Sequence, residues 1–144
     1  MSAKNNIEKE NEHLAKSVLT STNSRRNQGT LKISGKELPY RVTQSAIYAI
    51  EAKYGNLVDI TGTLLDMKFT LEMLTHITYQ LIQGGMGPAE VPSEEELCDS
   101  LLEGGLLRYS IAYSQILLDV IQGGSAYSYG SPDKKKVRKT KATQ

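Results

Sequence analysis

The segment from Leu106 to Gln122 leaves almost no side for water, and this constrains the fold more than any other feature of the sequence. Leu106, Tyr109, Tyr113, Ile116 and Val120 recur at alternating steps of three and four, the spacing of one helical face. Leu107, Ile111, Ser114, Leu118 and Ile121 form a second, largely apolar stripe. Polar groups keep only a narrow strip: Arg108, Gln115, Asp119 and Gln122. Such a helix must be covered on several sides. Either it is the central helix of the core, or one side packs on the core and another on a partner.

The rest of the chain supplies what could cover it. Thr30–Ile33 and Leu38–Val42 alternate apolar and polar residues, with Ser34-Gly35-Lys36-Glu37 as the turn, and read as a hairpin. Pro39 has no N–H to donate, so its strand belongs at an edge. One hairpin is marginal alone and needs a helix to pack on. Thr43 or Ser45 caps a first helix that Gly55 ends, with Ala46, Ile47, Ala49, Ile50 and Tyr54 on one face. Gly62 interrupts the apolar stretch over 56–66, which reads as a loop plus a short helix. Thr70 caps a helix running to Gly84-Gly85, and a proline-containing loop follows. Ser93-Glu94-Glu95-Glu96 matches a capping box, with three carboxylates suited to the positive end of a helix that stops near Gly104-Gly105. Ile-Gln-Gly-Gly occurs at 82–85 and at 121–124; without flanking similarity this reads as two helices with similar ends.

Charge is divided unevenly. The net charge is +1, yet residues 29–131 carry six Lys/Arg against twelve Asp/Glu, while 132–144 carry six Lys/Arg and one Asp. An acidic body therefore wears a basic tail: Lys134, Lys135, Lys136, Arg138, Lys139 and Lys141. With Tyr127 and Tyr129 upstream, that tail has the composition to neutralise phosphates and stack on bases. Short terminal Lys runs also serve simply to solubilise a chain. The single cysteine, Cys98, rules out an internal disulfide and fits a reducing compartment. With no apolar leader and no long apolar run, the expected location is the cytoplasm.

Four kinds of site chemistry have plainer explanations in this sequence. His76 has no second imidazole near it in sequence, so no metal-ligand spacing exists. Cys98 follows a run of acidic residues that would blunt a thiol nucleophile. Glu94–Glu96 are explained as a helix start. Gly84-Gly85-Met86-Gly87 follows a helix rather than a strand and lacks the Lys-Ser/Thr of a phosphate loop. The expectation is a non-enzyme with no metal and no cofactor.

The order of elements adds a resemblance. Leu31-Lys32-Ile33-Ser34-Gly35-Lys36-Glu37-Leu38-Pro39-Tyr40-Arg41-Val42 leads directly into Ala46-Ile47-Tyr48-Ala49-Ile50-Glu51-Ala52-Lys53-Tyr54-Gly55. A helix ending in Gly-Gly and a loop opening Val91-Pro92-Ser93-Glu94-Glu95-Glu96-Leu97 follow. Over roughly residues 30–122 the chain resembles the tail assembly chaperones of long-tailed bacteriophages and gene-transfer-agent-like elements. It departs from them where the middle helix ends in Ile82-Gln83-Gly84-Gly85-Met86. The resemblance implies binding to the tape-measure protein and recruitment of tail-tube subunits in the host bacterial cytoplasm, without catalysis. It also implies two lengths made by a translational frameshift, for which Lys134-Lys135-Lys136 would be the place.

Taken together, the sequence predicts a mainly α (α+β) protein: an N-terminal β-hairpin packed on a bundle of about four helices. Residues 1–29 are expected to form a flexible arm, 30–124 a single globular domain, and 125–144 a disordered basic tail. Leu107, Ile111, Leu118 and Ile121 are the expected partner-binding residues, with self-association as another use of the same stripe. The competing reading is a small nucleic-acid-associated or regulatory protein that acts through its basic tail.

Overall fold

The computed structural model describes residues 2–23 and 26–123, with side chains described from residue 9 onward. Its elements run α1 (Ser2–Lys16), β1 (Leu19–Asn23), β2 (Gln28–Ile33), β3 (Lys36–Arg41), α2 (Gln44–Tyr54), α3 (Leu57–Leu65), α4 (Leu71–Met86), α5 (Glu94–Gly104) and α6 (Leu106–Gln122). The class is mainly α with an antiparallel sheet, as the periodicities indicate.

The sheet has three strands in the order β1-β2-β3. Ser34 and Gly35 both take positive φ, 53° and 78°, the two-residue turn whose twist matches a hairpin. That turn sets Leu31 opposite Leu38 and Ile33 opposite Lys36, so that Leu31, Ile33 and Tyr40 are buried. Pro39 does lie on an edge strand. Its outward side is not left to solvent, because α4 packs along it. The carbonyls of Pro39 and Arg41 sit so close to Gly85 and Gly84 that a Cβ on either glycine would collide with them. The two glycines are therefore not the helix stop expected from sequence. The helix runs on to Met86, and they are the places where helix backbone meets strand backbone. In the second Ile-Gln-Gly-Gly the helix ends at Gln122, before its glycines, so the two copies do different work.

The expected arm over 1–29 is corrected. Residues 2–16 form a helix and 19–23 form the third strand, with Ala15 and Val18 in the core. The reading failed because Leu19-Thr20-Ser21-Thr22-Asn23 buries few side chains; its strand is held by backbone pairing with β2 and by Thr20, Ser21 and Thr30 hydroxyls. Expected residues 125–144 lie outside the described part.

Caps explain most helix boundaries. Thr43, Thr70 and Ser93 each accept an N–H three residues on, and Glu96 returns a bond to the Ser93 N–H at 3.1 Å. The stretch 56–66, expected as a loop plus a short helix, is helical from its second residue, because Asn56 accepts the Asp59 N–H at 2.8 Å and Glu51 accepts the Leu57 N–H at 2.9 Å. Six helices thus stand among the described residues, against about four expected.

The core is continuous across helices and sheet: α4 packs on β3, α5, α2 and α6, and α6 packs most extensively on α3, then α1, and more lightly on α4 and α5. Buried Thr61, Thr75, Thr78, Ser110 and Ser114 each donate to a carbonyl of their own helix, so their hydroxyls are satisfied. Thr78 also meets Tyr113 of α6 at 2.5 Å, the one hydroxyl pair linking two helices deep in the core among the described residues.

Tyr40 gives a test of this packing. Burial, with a smaller contribution from Asp119, pushes its phenol up from 10.0 to about 12. The unfolded chain ionises first as pH rises, so stability should keep its neutral-pH value below about pH 10 and fall between 10 and 12. Tyr40→Phe should flatten that fall, as read from urea midpoints at pH 9 and about 11.

Candidate functional site

Three of the four expected partner-binding residues remain at the surface. Leu107, Leu118 and Ile121 are 37%, 40% and 40% exposed, while Ile111 is 9% exposed. Ile111 is therefore corrected to a core residue. It lies within the stretch of α6 buried without a break from Tyr109 to Ser114, where neighbouring helices close over both stripes. The first of the two arrangements open to α6, a central core helix, is what the fold adopts along its middle. Its C-terminal turns keep apolar surface.

Sequence reading missed a second apolar stripe on α3, the neighbour most extensively packed on α6. Leu57, Ile60, Thr61 and Leu64 face the core. Val58 and Leu65, seven residues apart on the other side, are 62% and 58% exposed. Between them Gly62 opens onto empty space, and Met67 beyond the helix is also exposed. The signal was present: a helix from Leu57 to Leu65 has more apolar residues than one buried face can take. Reading that stretch as partly loop concealed it. α3 and α6, which pack on each other, thus each keep exposed apolar side chains of the kind that dock an amphipathic helix.

The polar candidates behave differently. His76 lies on α4, one turn from Glu72 and from Gln80. Its side chain is mostly buried where α2, α4 and α5 meet, edge-on to the Tyr54 ring with centroids 5.7 Å apart. Its Nδ1 lies 3.9 Å from Glu94, and its Nε2 and the Tyr54 hydroxyl are buried without a partner among the described residues. Lys53 and Glu72 pair at 3.2 Å beside them, and burial raises the Tyr54 phenol. Cys98 is half-buried. Among the described residues no three His, Cys, Asp or Glu side chains lie close enough to hold a metal ion. No described helix is long and apolar enough to cross a membrane. The basic residues Lys134, Lys135, Lys136, Arg138, Lys139 and Lys141 lie outside the described residues.

In comparisons with known proteins, no family model, no curated protein and no solved structure matches the chain.

Proposed function

We propose that this chain is a tail assembly chaperone of a long-tailed bacteriophage, which binds the tape-measure protein, helps recruit tail-tube subunits and catalyses nothing. The observation that carries this reading is the apolar surface left on α3 and α6 at Val58, Leu65, Leu107, Leu118 and Ile121. Such a surface suits a long, apolar helical client, which would bury it while being kept soluble. The order of hairpin, helix, Gly-Gly and acidic helix start supports the same reading. Host cytoplasm is the compartment in which the work would be done.

The test is co-purification with a tape-measure protein. Leu118→Lys with Ile121→Lys should weaken binding at least about tenfold while the circular dichroism spectrum stays native, because charge would be placed where apolar contact forms. Full retention by that double variant, with loss on deleting residues 132–144 and steep dependence on salt, would favour the nucleic-acid reading instead. A neighbouring long helical tape-measure gene supports the proposal; a transcriptional operon opposes it.

A further inference from the structure

A cleft of about 420 Å³ lies where the end of α1, the β2–β3 turn, the end of α5 and the start of α6 meet. Three cationic side chains from three separate elements line it: Lys16, Lys32 and Arg108. This stands out where acidic residues outnumber basic ones, fifteen Asp/Glu against eleven Lys/Arg over 1–131. Among the described residues no carboxylate stands within ion-pair distance of any of the three. Glu103 is the one carboxylate lining the cleft, so positive charge prevails there.

A phenol donor points the same way. Tyr109 also lines the cleft and is only 3% exposed. Its hydroxyl rests against Gly104, another lining residue, and makes no hydrogen bond to any described residue. The hydroxyl is open to the cleft rather than sealed in the core, so it is available to donate to an acceptor that enters. Burial raises the Tyr109 phenol, Arg108 opposes that, and Glu103 adds to it; the net effect keeps the proton in place at neutral pH. Nearby, α6 starts after Gly105, which offers no side-chain cap, so the first N–H groups of that helix add partial positive charge.

The walls are fixed. Arg108 donates to the Ser17 hydroxyl at 3.3 Å, which anchors the guanidinium and leaves its other N–H groups available. Ser34 donates to Ser100 at 2.7 Å, tying the hairpin turn to α5.

We propose that this cleft binds an oxyanion of the phosphate class, held by Lys16, Lys32, Arg108 and the Tyr109 hydroxyl. Ammonium, guanidinium and phenol are all donors, and a phosphate group is an acceptor on every side. The volume falls in the range of small-molecule sites, so the group belongs either to a free anion or to a small phosphomonoester. The site is separate from the apolar surface of α3 and α6 and stands or falls independently of the chaperone reading.

The test is an amide-shift titration of the full chain with inorganic phosphate and with adenosine monophosphate, each against chloride at matched ionic strength. Saturable shifts should centre on Gly35, Gly104 and Arg108. Lys32→Gln and Arg108→Gln should each weaken binding about tenfold or more. Tyr109→Phe should weaken it several-fold, and Lys68→Gln, outside the cleft, should leave it unchanged. Because Arg108 is half-buried, the exposed Lys32→Gln keeps the test open if the arginine variant misfolds. Tighter binding of the nucleotide would identify a phosphomonoester ligand; equal binding would identify the free anion. Shifts reproduced by chloride, failure to saturate, or unchanged affinity in Lys32→Gln and Lys16→Gln would overturn the proposal.

Discussion

Truncating Tyr113 to alanine should cost about 3–5 kcal/mol, the range for removing a buried aromatic ring. Its side chain is fully buried near the centre of α6, within the core that helices and sheet share. Domains of this size hold about 5–15 kcal/mol in total, so the variant should be partly unfolded at room temperature or close to it. Tyr113→Phe separates ring from hydroxyl. Thr78 would still donate to the Leu74 carbonyl at 2.7 Å, so no buried donor is stranded, and the loss should be only about 1 kcal/mol. Burial holds the phenol above its ordinary range, so the hydroxyl stays a neutral donor or acceptor throughout. A double-mutant cycle with Thr78→Val, read from urea midpoints, should give a coupling of about 0.5–1.5 kcal/mol. A coupling near zero would mean that the hydroxyl pair contributes no specific stability.

Two glycines inside helices should respond to alanine in opposite directions. Gly62→Ala in α3 places its methyl in open space and should stabilise by about 0.5–1 kcal/mol through helix propensity. Gly85→Ala in α4 gains the same propensity but drives its methyl into the Pro39 carbonyl and adjoining Tyr40 backbone. Strand backbone cannot rotate aside as a long side chain can, so overpacking should prevail with a net loss of about 1–3 kcal/mol. Gly84→Ala, against Arg41, should behave likewise. Combining the two substitutions in α4 should separate β3 from the helix, visible as loss of amide protection over 37–41. Equal stabilisation at Gly62 and Gly85 would mean that the close approach of helix and strand is unimportant.

What could be read from the sequence was local. The hairpin turn, the caps at Thr43, Thr70 and Ser93, the edge position of Pro39 and the burial demand of α6 each depend on residues a few positions apart. What could not be read depends on distant partners. β1 is polar because its strand is held through backbone, which leaves little hydrophobic signal. Gly84 and Gly85 looked like a stop because their packing partner lies some forty residues earlier in the chain. Leu107 and Ile111 belong to one stripe by spacing, and only the packing of neighbouring helices buries one and leaves the other at the surface. The cationic cleft was invisible for the same reason: Lys16, Lys32 and Arg108 have no shared motif and meet only through the fold.

The packing of α1 on α6 has a consequence during synthesis. The Arg108–Ser17 bond spans 91 positions, so the first helix leaves the ribosome long before its partner. At about 5–20 residues per second, that delay is on the order of 5–20 s. The face of α1 that packs on α6 must remain solvated, or shielded by another protein, throughout it. The hairpin and α2 can settle within microseconds, since their contacts are close in sequence. α1, translated well before α6, is thus among the last elements to find its place, and nascent chains halted before residue 106 should show Ser2–Lys16 open to protease while the hairpin is already protected.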